Sequence, residues 1–407
     1  MNIFIKNVPN TYNYGSMMMA ENTIMCFLEF FHDKDINFYT EPFTENDLTR
    51  LRTATKYENI FKDTFFDIKP ITEKIRVVRY FEKALRKRLV MKRACSFYDV
   101  VIILGGDDYA ETYFNLPREN ILIKSLFNQL QYFNKYTKLY MIGQTIGPYT
   151  GKRIKMATKG FEGIRIFARD EVTTKYMKDT FNIDVETSRD LAFLDLTLQG
   201  EYIKNKKQIL KKYNLKENEY IVVVGTGIID KYNANVETFV DDFYNALKNL
   251  KKKYKDKKIV YLCHVVTPNE ENDLTLLDLI NAKYDNFIDN ECIVIKEVIL
   301  PIEARIILGM GYLTITCRMH AAVSTFQMKK PAICLSYSPK YKGVISEGLE
   351  LEKLVIDDLA NFPNEIIKIS DYVDNNYDEL VKHIDIKTKE CATIVSSTLN
   401  MIFKELE

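Results

Sequence analysis

The hydrophobic positions of this chain fall into short apolar runs that alternate with amphipathic stretches. In the first half, this pattern predicts strands at residues 2–8, 36–40, 99–105, 138–143 and 164–168. A helix is predicted at residues 16–31, and further helices between the later strands. Uninterrupted apolar runs separated by helical patterns are typical of parallel strands that are covered on both faces. The first half therefore predicts a parallel sheet between two layers of helices.

The same alternation returns after a polar, lysine-rich stretch, QGEYIKNKKQILKKYNLKENE. Further strands are predicted at residues 220–226, 258–265, 292–298, 312–317, 332–337 and 354–357, followed by an amphipathic segment at 378–405. The predicted fold is α/β, with two Rossmann-like doubly wound domains facing a cleft. The predicted organisation is an N-terminal domain at 1–198 with a helical insertion at 41–96, a linker at 199–219 and a C-terminal domain at 220–407.

Composition and charge exclude several classes of protein. The 407 residues contain 57 Lys and Arg against 56 Asp and Glu, so no general positive charge favours nucleic acid as a partner. Seven cysteines are scattered without a C-x-x-C pair, which favours reduced thiols in a cytoplasmic protein. A signal-peptide pattern and an apolar run of about 18 residues are both missing from the sequence. We therefore expect neither secretion nor membrane spanning, and the oligomeric state stays open.

Polar and glycine residues follow several of the predicted strands. They are Gly105, Gly106, Asp107, Asp108, Gln144 and Arg169 in the first half, and His264, Arg318, His320 and Lys340 in the second. Each has an ordinary structural interpretation, such as a turn, a helix N-cap or a solvated lysine. However, ligands of doubly wound sheets bind outside the carboxyl ends of the strands. Together, two arginines, a lysine and a histidine favour a small anion with phosphate and carboxylate groups.

Other ligand motifs are missing from the sequence. It contains no G-x-x-x-x-G-K-[ST] loop and no G-x-G-x-x-G opening the first helix, so ATP and dinucleotides are poorly supported. It also contains no H-E-x-x-H motif and no paired Cys/His spacing. We expect neither a metal nor a cofactor.

The order of the motifs resembles the polysaccharide pyruvyl transferase family. The matching segments are NYGSMMMAENTI (13–24), GGDD (105–108), IGQTIGP (142–148), ARDEVTTKYM (168–177), SRDLAFL (188–194) and CRMHAAVSTFQMKKPAICLSYSPKYKG (317–343). The resemblance implies a GT-B-like fold and transfer of a pyruvyl group from phosphoenolpyruvate, as co-substrate, to a sugar as a cyclic ketal. It places Arg318, Met319 and His320 at the donor, with Arg169 as a second anion contact. The chain departs from the family at Asp107, commonly a third glycine, and at Thr173 or Thr174, commonly a serine.

Ketal formation assigns a role to each candidate residue. His320 would act as the acid, because an imidazole titrates near neutral pH. Arg318 and Lys340 would neutralise the departing phosphate, and Arg169 would hold the carboxylate. Asp107 or Asp108 would take the proton from a sugar hydroxyl. The remaining residues assigned to the acceptor or the cleft are Asn13, Gly15, Gly105, Gly106, Gln144 and His264.

Two alternatives remain open for the activity, and two for one surface segment. The activity alternatives are a GT-B glycosyltransferase that uses a nucleotide sugar, and a non-catalytic homologue that binds anions. Residues 81–93 combine Phe81, Leu85 and Leu89 at a spacing of four with a dense set of cations. This segment either packs on its domain or docks the protein on the inner face of an anionic membrane, near a lipid-linked oligosaccharide acceptor. The acceptor sugar and its linkage stay open.

Overall fold

The chain folds into two compact units, each built on one sheet. The computed structural model describes residues 1–8, 10–65, 89–111, 120–267 and 272–407. The first unit comprises Met1–Pro9, Thr23–Ser188 and Thr398–Glu407, and the second comprises Asn10–Asn22 and Arg189–Ser397.

The first unit contains a seven-stranded sheet in the order β3-β2-β1-β4-β5-β6-β7, and all neighbouring strands are parallel. The strands are β1 (Asn2–Lys6), β2 (Asn37–Thr40), β3 (Ile60–Lys62), β4 (Val100–Leu104), β5 (Lys138–Gln144), β6 (Arg165–Ala168) and β7 (Glu186–Thr187). Helices lie at Glu45–Thr55, Asn120–Tyr136, Lys152–Phe161 and Glu171–Phe181. Every residue of β4 is buried, as expected for a strand covered on both faces.

The second unit contains a six-stranded parallel sheet in the order β10-β9-β8-β11-β12-β13. Its strands are β8 (Tyr220–Val224), β9 (Lys258–Leu262), β10 (Ile293–Ile295), β11 (Leu313–Thr316), β12 (Ala332–Leu335) and β13 (Val355–Ile356). Its α-helices are Gln199–Lys204, Lys206–Lys212, Ile229–Tyr232, Val236–Lys253, Leu274–Lys283, Phe287–Glu291, Pro301–Met310, Met319–Gln327, Pro339–Tyr341 and Phe362–Asn375. Strands β8, β11 and β12 are buried along their whole length.

Two further helices contribute residues to both units. The helix Tyr14–Phe30 belongs to the second unit up to Asn22 and to the first from Thr23, and the helix Tyr377–Leu406 changes unit after Ser397.

Each sheet reverses its strand order beside its first strand. In the first sheet β1 lies between β2 and β4, and in the second β8 lies between β9 and β11. Such a reversal leaves a crevice at the carboxyl ends of the two central strands, where ligands of doubly wound sheets bind. The residues that follow β4 and β11 are therefore the first to consider as site residues.

The α/β fold with two doubly wound domains is confirmed, whereas some predicted segments differ from the structure. Residues 41–65 form part of a regular crossover, in which the helix Glu45–Thr55 leads from β2 to β3, rather than a helical insertion. Residues 199–219 differ from the predicted linker, because they form two helices whose apolar side chains, including Leu210 and Leu215, are buried in the second unit. The short strands β3 and β7 were not predicted.

The segment at residues 81–93 lies outside the described residues up to residue 88. Residues 89–97 are helical, and Leu89 is 60% exposed. Docking of this segment on a membrane stays a prediction. In the parts of the chain that the structure describes, every helix is too short or too polar to cross a bilayer.

Candidate functional site

The GGDD motif forms the turn after β4 at the carboxyl edge of the first sheet. A Cβ on Gly105 would lie 2.0 Å from a backbone carbonyl oxygen of β5, so glycine permits the close passage of the two chains. A Cβ on Gly106 would lie 2.5 Å from Oδ2 of Asp108, which also accepts a hydrogen bond from Nδ2 of Asn7 at 3.4 Å. Asp107 is half-buried and Asp108 is exposed. The glycines thus shape a turn that presents two carboxylates beside the reversal point of this sheet.

Gln144 is the last residue of β5, Arg169 directly follows β6, and both side chains are buried. Their exposed fractions are 0% and 1%. Nε2 of Gln144 donates to the carbonyl oxygen of Ile103 at 3.0 Å, and Nε of Arg169 donates to Oγ1 of Thr145 at 2.7 Å. Within the first unit, these hydrogen bonds stabilise the carboxyl edge of the sheet. Contact of either one with a ligand stays a prediction.

Arg318 follows β11 and forms a buried ion pair with Asp273. Nη2 and Nε of Arg318 lie 2.7 Å and 2.9 Å from Oδ1 of Asp273. Oδ2 of the same carboxylate accepts the backbone N–H groups of His264 and Val265, each at 2.9 Å. Burial disfavours the charged guanidinium, but the adjacent Asp273 carboxylate outweighs it and raises the pKa of Arg318. Arg318 is therefore a permanently charged group with a fixed orientation, and its side chain stays 14% exposed.

His320 lies in the first turn of the helix Met319–Gln327, and a buried carboxylate holds its ring. Nε2 of His320 is 3.2 Å from Oδ2 of Asp190, whose side chain is 0% exposed. Oδ1 of Asp190 accepts the backbone N–H of Ala192 at 3.0 Å, which fixes the carboxylate. The ring also packs against Gly15, where a Cβ would lie 2.3 Å from Nδ1. The ring thus has Nε2 at the carboxylate and Nδ1 on the side of the glycine.

Arg305, whose side chain is fully buried, forms hydrogen bonds with the loop that carries Asp190. Nη1 of Arg305 donates to the carbonyl oxygen of Leu194 and to Oε1 of Gln199, both at 2.9 Å, and Nη2 donates to the carbonyl oxygen of Ala192 at 2.7 Å. Burial lowers the pKa of Arg305 to about 10, so the guanidinium stays charged at neutral pH. These bonds anchor the chain directly after Asp190.

Asn13 and Gly15 belong to the second unit, together with Arg318 and His320. Oδ1 of Asn13 accepts the N–H of Gly15 at 3.1 Å, which caps the helix Tyr14–Phe30. Asn13 also pairs with Val265 as an isolated β-bridge. The NYG segment is therefore fixed to the loop after β9 in the second unit, whereas the sequence analysis placed it in the N-terminal domain at 1–198.

His264 has the surroundings of a structural residue. It is 2% exposed, and its carbonyl oxygen accepts the N–H of Tyr14 at 3.2 Å. Burial lowers the pKa of His264 well below its ordinary value, and the positive charges of His320 and Arg318 act in the same direction. His264 is therefore neutral at physiological pH.

Met319 and Lys340 complete the predicted donor residues. Met319 is 4% exposed and packs in the core of the second unit. Nζ of Lys340 donates to the Tyr337 hydroxyl at 2.5 Å and lies 4.6 Å from the centre of that ring. The Tyr337 ring contacts Tyr232, which donates a hydrogen bond to the carbonyl oxygen of Cys317. Lys340 is thus linked through two aromatic rings to the turn after β11.

The structure divides the predicted residues between the two sheets. The second unit holds Asn13, Gly15, His264, Arg318, Met319, His320 and Lys340, and the first holds Gly105, Gly106, Asp107, Asp108, Gln144 and Arg169. The sequence analysis missed Asp190 and Asp273, the two carboxylates that orient His320 and Arg318. Each precedes an apolar run, which indicates only a helix N-cap. The position of Asp190 inside the SRDLAFL segment was the stronger signal.

Solved structures with this architecture belong to the GT-B class. UDP-GlcNAc 2-epimerase from Neisseria meningitidis has a TM-score of 0.62 at 10% identity, with 100% of each chain covered. A UDP-bound ugt transferase from Siraitia grosvenorii has a TM-score of 0.59 at 12% identity, with 100% of this chain and 99% of that chain covered. At such identities the likeness concerns the fold, and it defines this protein as a two-domain α/β protein of the GT-B type.

The sequence comparisons specify the family within that class. The sequence model of the polysaccharide pyruvyl transferase family matches residues 13–339. The amylovoran biosynthesis protein AmsJ from Erwinia amylovora is 22% identical over 313 residues, which cover 70% of this chain and 68% of that relative. The chain belongs to the polysaccharide pyruvyl transferase family, as its motifs predicted. The family supports a pyruvyl transferase role.

Proposed function

We propose that this protein transfers a pyruvyl group from phosphoenolpyruvate to a sugar of a cell-surface polysaccharide or of its precursor, and that the product is a cyclic ketal. The observation that carries the proposal is the arrangement of Arg318 and His320, each oriented by a buried carboxylate beside the reversal point of the second sheet. Phosphoenolpyruvate combines a phosphate and a carboxylate on three carbons. A fixed guanidinium and a titratable ring suit such an anion.

The chemistry assigns one step to each group of the donor site. Imidazolium His320 gives a proton to the methylene carbon, which leaves a cationic centre at the middle carbon. A first sugar hydroxyl adds to that carbon, and the bond from this carbon to the phosphate oxygen then breaks. Arg318 and Lys340 stabilise the phosphate as it leaves. A second hydroxyl closes the ketal, and its proton returns to His320.

Asp107 and Asp108 are the proposed bases for the first sugar hydroxyl. Both follow β4, and their carboxylates differ in exposure, since Asp107 is half-buried and Asp108 is exposed. Asp108 already accepts a hydrogen bond from the Asn7 side chain. Because a base must reach the hydroxyl directly or through one water, single Asp→Asn variants should separate the two. We expect the Asp→Asn substitution of the active base to lower kcat by about a hundredfold or more. The same substitution of the other aspartate should have a smaller effect.

The direct test supplies phosphoenolpyruvate together with a panel of β-galactosides and N-acetylmannosamine glycosides. Phosphate release and the mass of the product should show transfer that depends on both substrates. His320→Ala should abolish this transfer, because the acid is lost. His32→Ala is the matched control, since His32 is an exposed histidine of the first unit.

The same panel tests the competing activities. Product formed from nucleotide sugars, without phosphoenolpyruvate, would identify a glycosyltransferase instead. Binding of phosphoenolpyruvate by calorimetry, with no product from any acceptor, would favour a non-catalytic anion-binding homologue. Transfer that persists in His320→Ala would remove the acid role from this residue.

A further inference from the structure

His320 and Asp190 form a dyad in which each oxygen of the Asp190 carboxylate has a separate partner. Oδ1 of Asp190 accepts the backbone N–H of Ala192 at 3.0 Å, and Oδ2 lies 3.2 Å from Nε2 of His320. Asp190 is 0% exposed, whereas the His320 side chain is 18% exposed. If Asp190 served only as the N-cap of the turn Leu191–Phe193, one oxygen would suffice. The second oxygen is directed at the ring.

An ionised carboxylate can only accept hydrogen bonds, so the ring nitrogen that faces it must carry a hydrogen. For neutral His320, this condition selects the tautomer with the proton on Nε2. Nδ1 lies on the other side of the ring, close to the backbone of Gly15, which has no side chain to cover it. None of the residues that the structure describes forms a hydrogen bond with Nδ1 of His320.

We infer that Asp190 is a positioning residue that keeps a proton on Nε2 of His320, so that Nδ1 is the atom that exchanges the catalytic proton. In the transfer step the Nδ1–H bond breaks, its electron pair stays on Nδ1, and the methylene carbon gains the proton. The ring is then neutral, with Nε2–H still bonded to Asp190, and Nδ1 regains a proton from the second sugar hydroxyl. The proton-exchange part rests on the proposed function, whereas the tautomer does not.

The residues around the dyad hold the Asp190 carboxylate in place. Arg305 anchors the Asp190 loop through the carbonyl oxygens of Ala192 and Leu194, so the carboxylate cannot follow the ring if it turns. The other charged or titratable groups near the ring are Arg318, two residues before it, and His264, on whose pKa His320, Arg318 and Arg305 all act. Arg318 is already paired with Asp273, so Asp190 is the carboxylate that contacts the His320 ring itself.

Nitrogen NMR of histidine side chains tests the tautomer without any substrate. The chain has four histidines, and His320→Gln identifies the signals of His320 by their loss. We expect neutral His320 in the wild type to carry its proton on Nε2. In Asp190→Asn, the Asn oxygen can still cap Ala192 while its NH₂ group faces the ring, so the proton should move to Nδ1. A wild-type proton on Nδ1, or an unchanged tautomer in Asp190→Asn, would overturn the inference.

Kinetics test the consequence for proton transfer. Asp190→Asn should lower kcat by about a hundredfold or more, with KM for phosphoenolpyruvate changed by less than about threefold. Asp190→Glu should recover part of kcat. Asp195→Asn is the matched control, since it removes an exposed carboxylate five positions along the same loop.

The outcomes separate the inference from the proposed function. If the wild type shows the Nε2–H tautomer but no transfer from phosphoenolpyruvate, the proposed function fails and the assignment of the tautomer stands. If transfer occurs and Asp190→Asn keeps near wild-type kcat, Asp190 is only a loop cap. If Asp190→Asn does not fold, the wild-type spectrum decides the tautomer and Asp190→Glu decides the kinetics.

Discussion

Arg318 and His320 stand two residues apart, and each is oriented by a carboxylate from a distant segment of the second unit. Asp273 is 45 positions from Arg318, and Asp190 is 130 positions from His320. Both carboxylates are fully buried. Because a buried charge is costly without a partner, each carboxylate needs the residue that it orients. The side chains of the candidate site thus contribute to stability as well as to chemistry, and variants must be measured for both.

Arg318→Ala should destabilise the protein and weaken donor binding together. Removal of the guanidinium leaves Asp273 buried with only the backbone N–H groups of His264 and Val265, and breaking a buried pair costs about 3–5 kcal/mol. Arg318→Lys keeps the charge but loses the two-nitrogen contact, so its stability should fall less. We expect calorimetry to show at least about a tenfold loss of phosphoenolpyruvate affinity for both variants. Unchanged binding would remove Arg318 from the donor site.

At the scale of elements, the sequence predicted the long central strands, because runs such as VVIIL in β4 are apolar throughout. The edge strands β3 and β7 are three and two residues long, so their sequences carry too little pattern. Helices at 199–212 were mistaken for a linker because their exposed faces are rich in lysine. Site residues that directly follow a strand, such as Arg318, were predicted. Residues that contact them from a distant segment of the sequence, such as Asp190, were missed.

The first turn of the helix Tyr14–Phe30 must stay free of a side chain at Gly15. A Cβ there would lie 2.3 Å from Nδ1 and 2.5 Å from Cγ of His320, so Gly15→Ala must displace the ring or the helix. Because Asp190 holds the ring at Nε2, we expect this variant to separate the dyad and to lower kcat by about tenfold or more. Steady-state kinetics and thermal unfolding would measure the two effects.

Gly200→Ala provides the matched control for this variant. Gly200 lies in the helix Gln199–Lys204 of the same unit, and a Cβ there would meet no atom within 4 Å. Alanine should stabilise that helix by up to about 1 kcal/mol and leave kcat unchanged. Near wild-type kcat in Gly15→Ala would show that the contact with His320 is not needed for turnover.

At the scale of the whole molecule, each unit contains residues from both ends of the chain or from separate segments. The last helix brings Phe403 against Phe27 and Phe30 in the first unit, with ring centroids 4.7 Å and 5.0 Å apart. The NYG segment near the start of the chain is fixed to the loop after β9 in the second unit. Because such contacts join distant parts of the sequence, unfolding of either unit should be cooperative along the chain.

The acid stability of the protein should depend on His264. Its folded-state pKa is well below its ordinary value of 6.5, because burial and the positive charges of His320, Arg318 and Arg305 disfavour the imidazolium. Below pH 6.5 the unfolded chain binds a proton that the folded chain does not, so stability falls as pH falls. Between pH 7.5 and pH 5.5 this group should remove about 1.4 kcal/mol of unfolding free energy.

His264→Gln tests this contribution, because glutamine is neutral at every pH used. Buried carboxylates such as Glu21 and Asp170, whose pKa values are raised by burial, contribute with the opposite sign, but they are present in both proteins and cancel in the comparison. Denaturant unfolding of both proteins at pH 7.5 and pH 5.5 gives the difference directly. We expect the wild type to lose about 1.4 kcal/mol more than the variant over this interval, whatever the variant costs at pH 7.5. Equal losses would mean that His264 accepts a proton in the folded state, and that the cations around it do not keep this part of the site neutral.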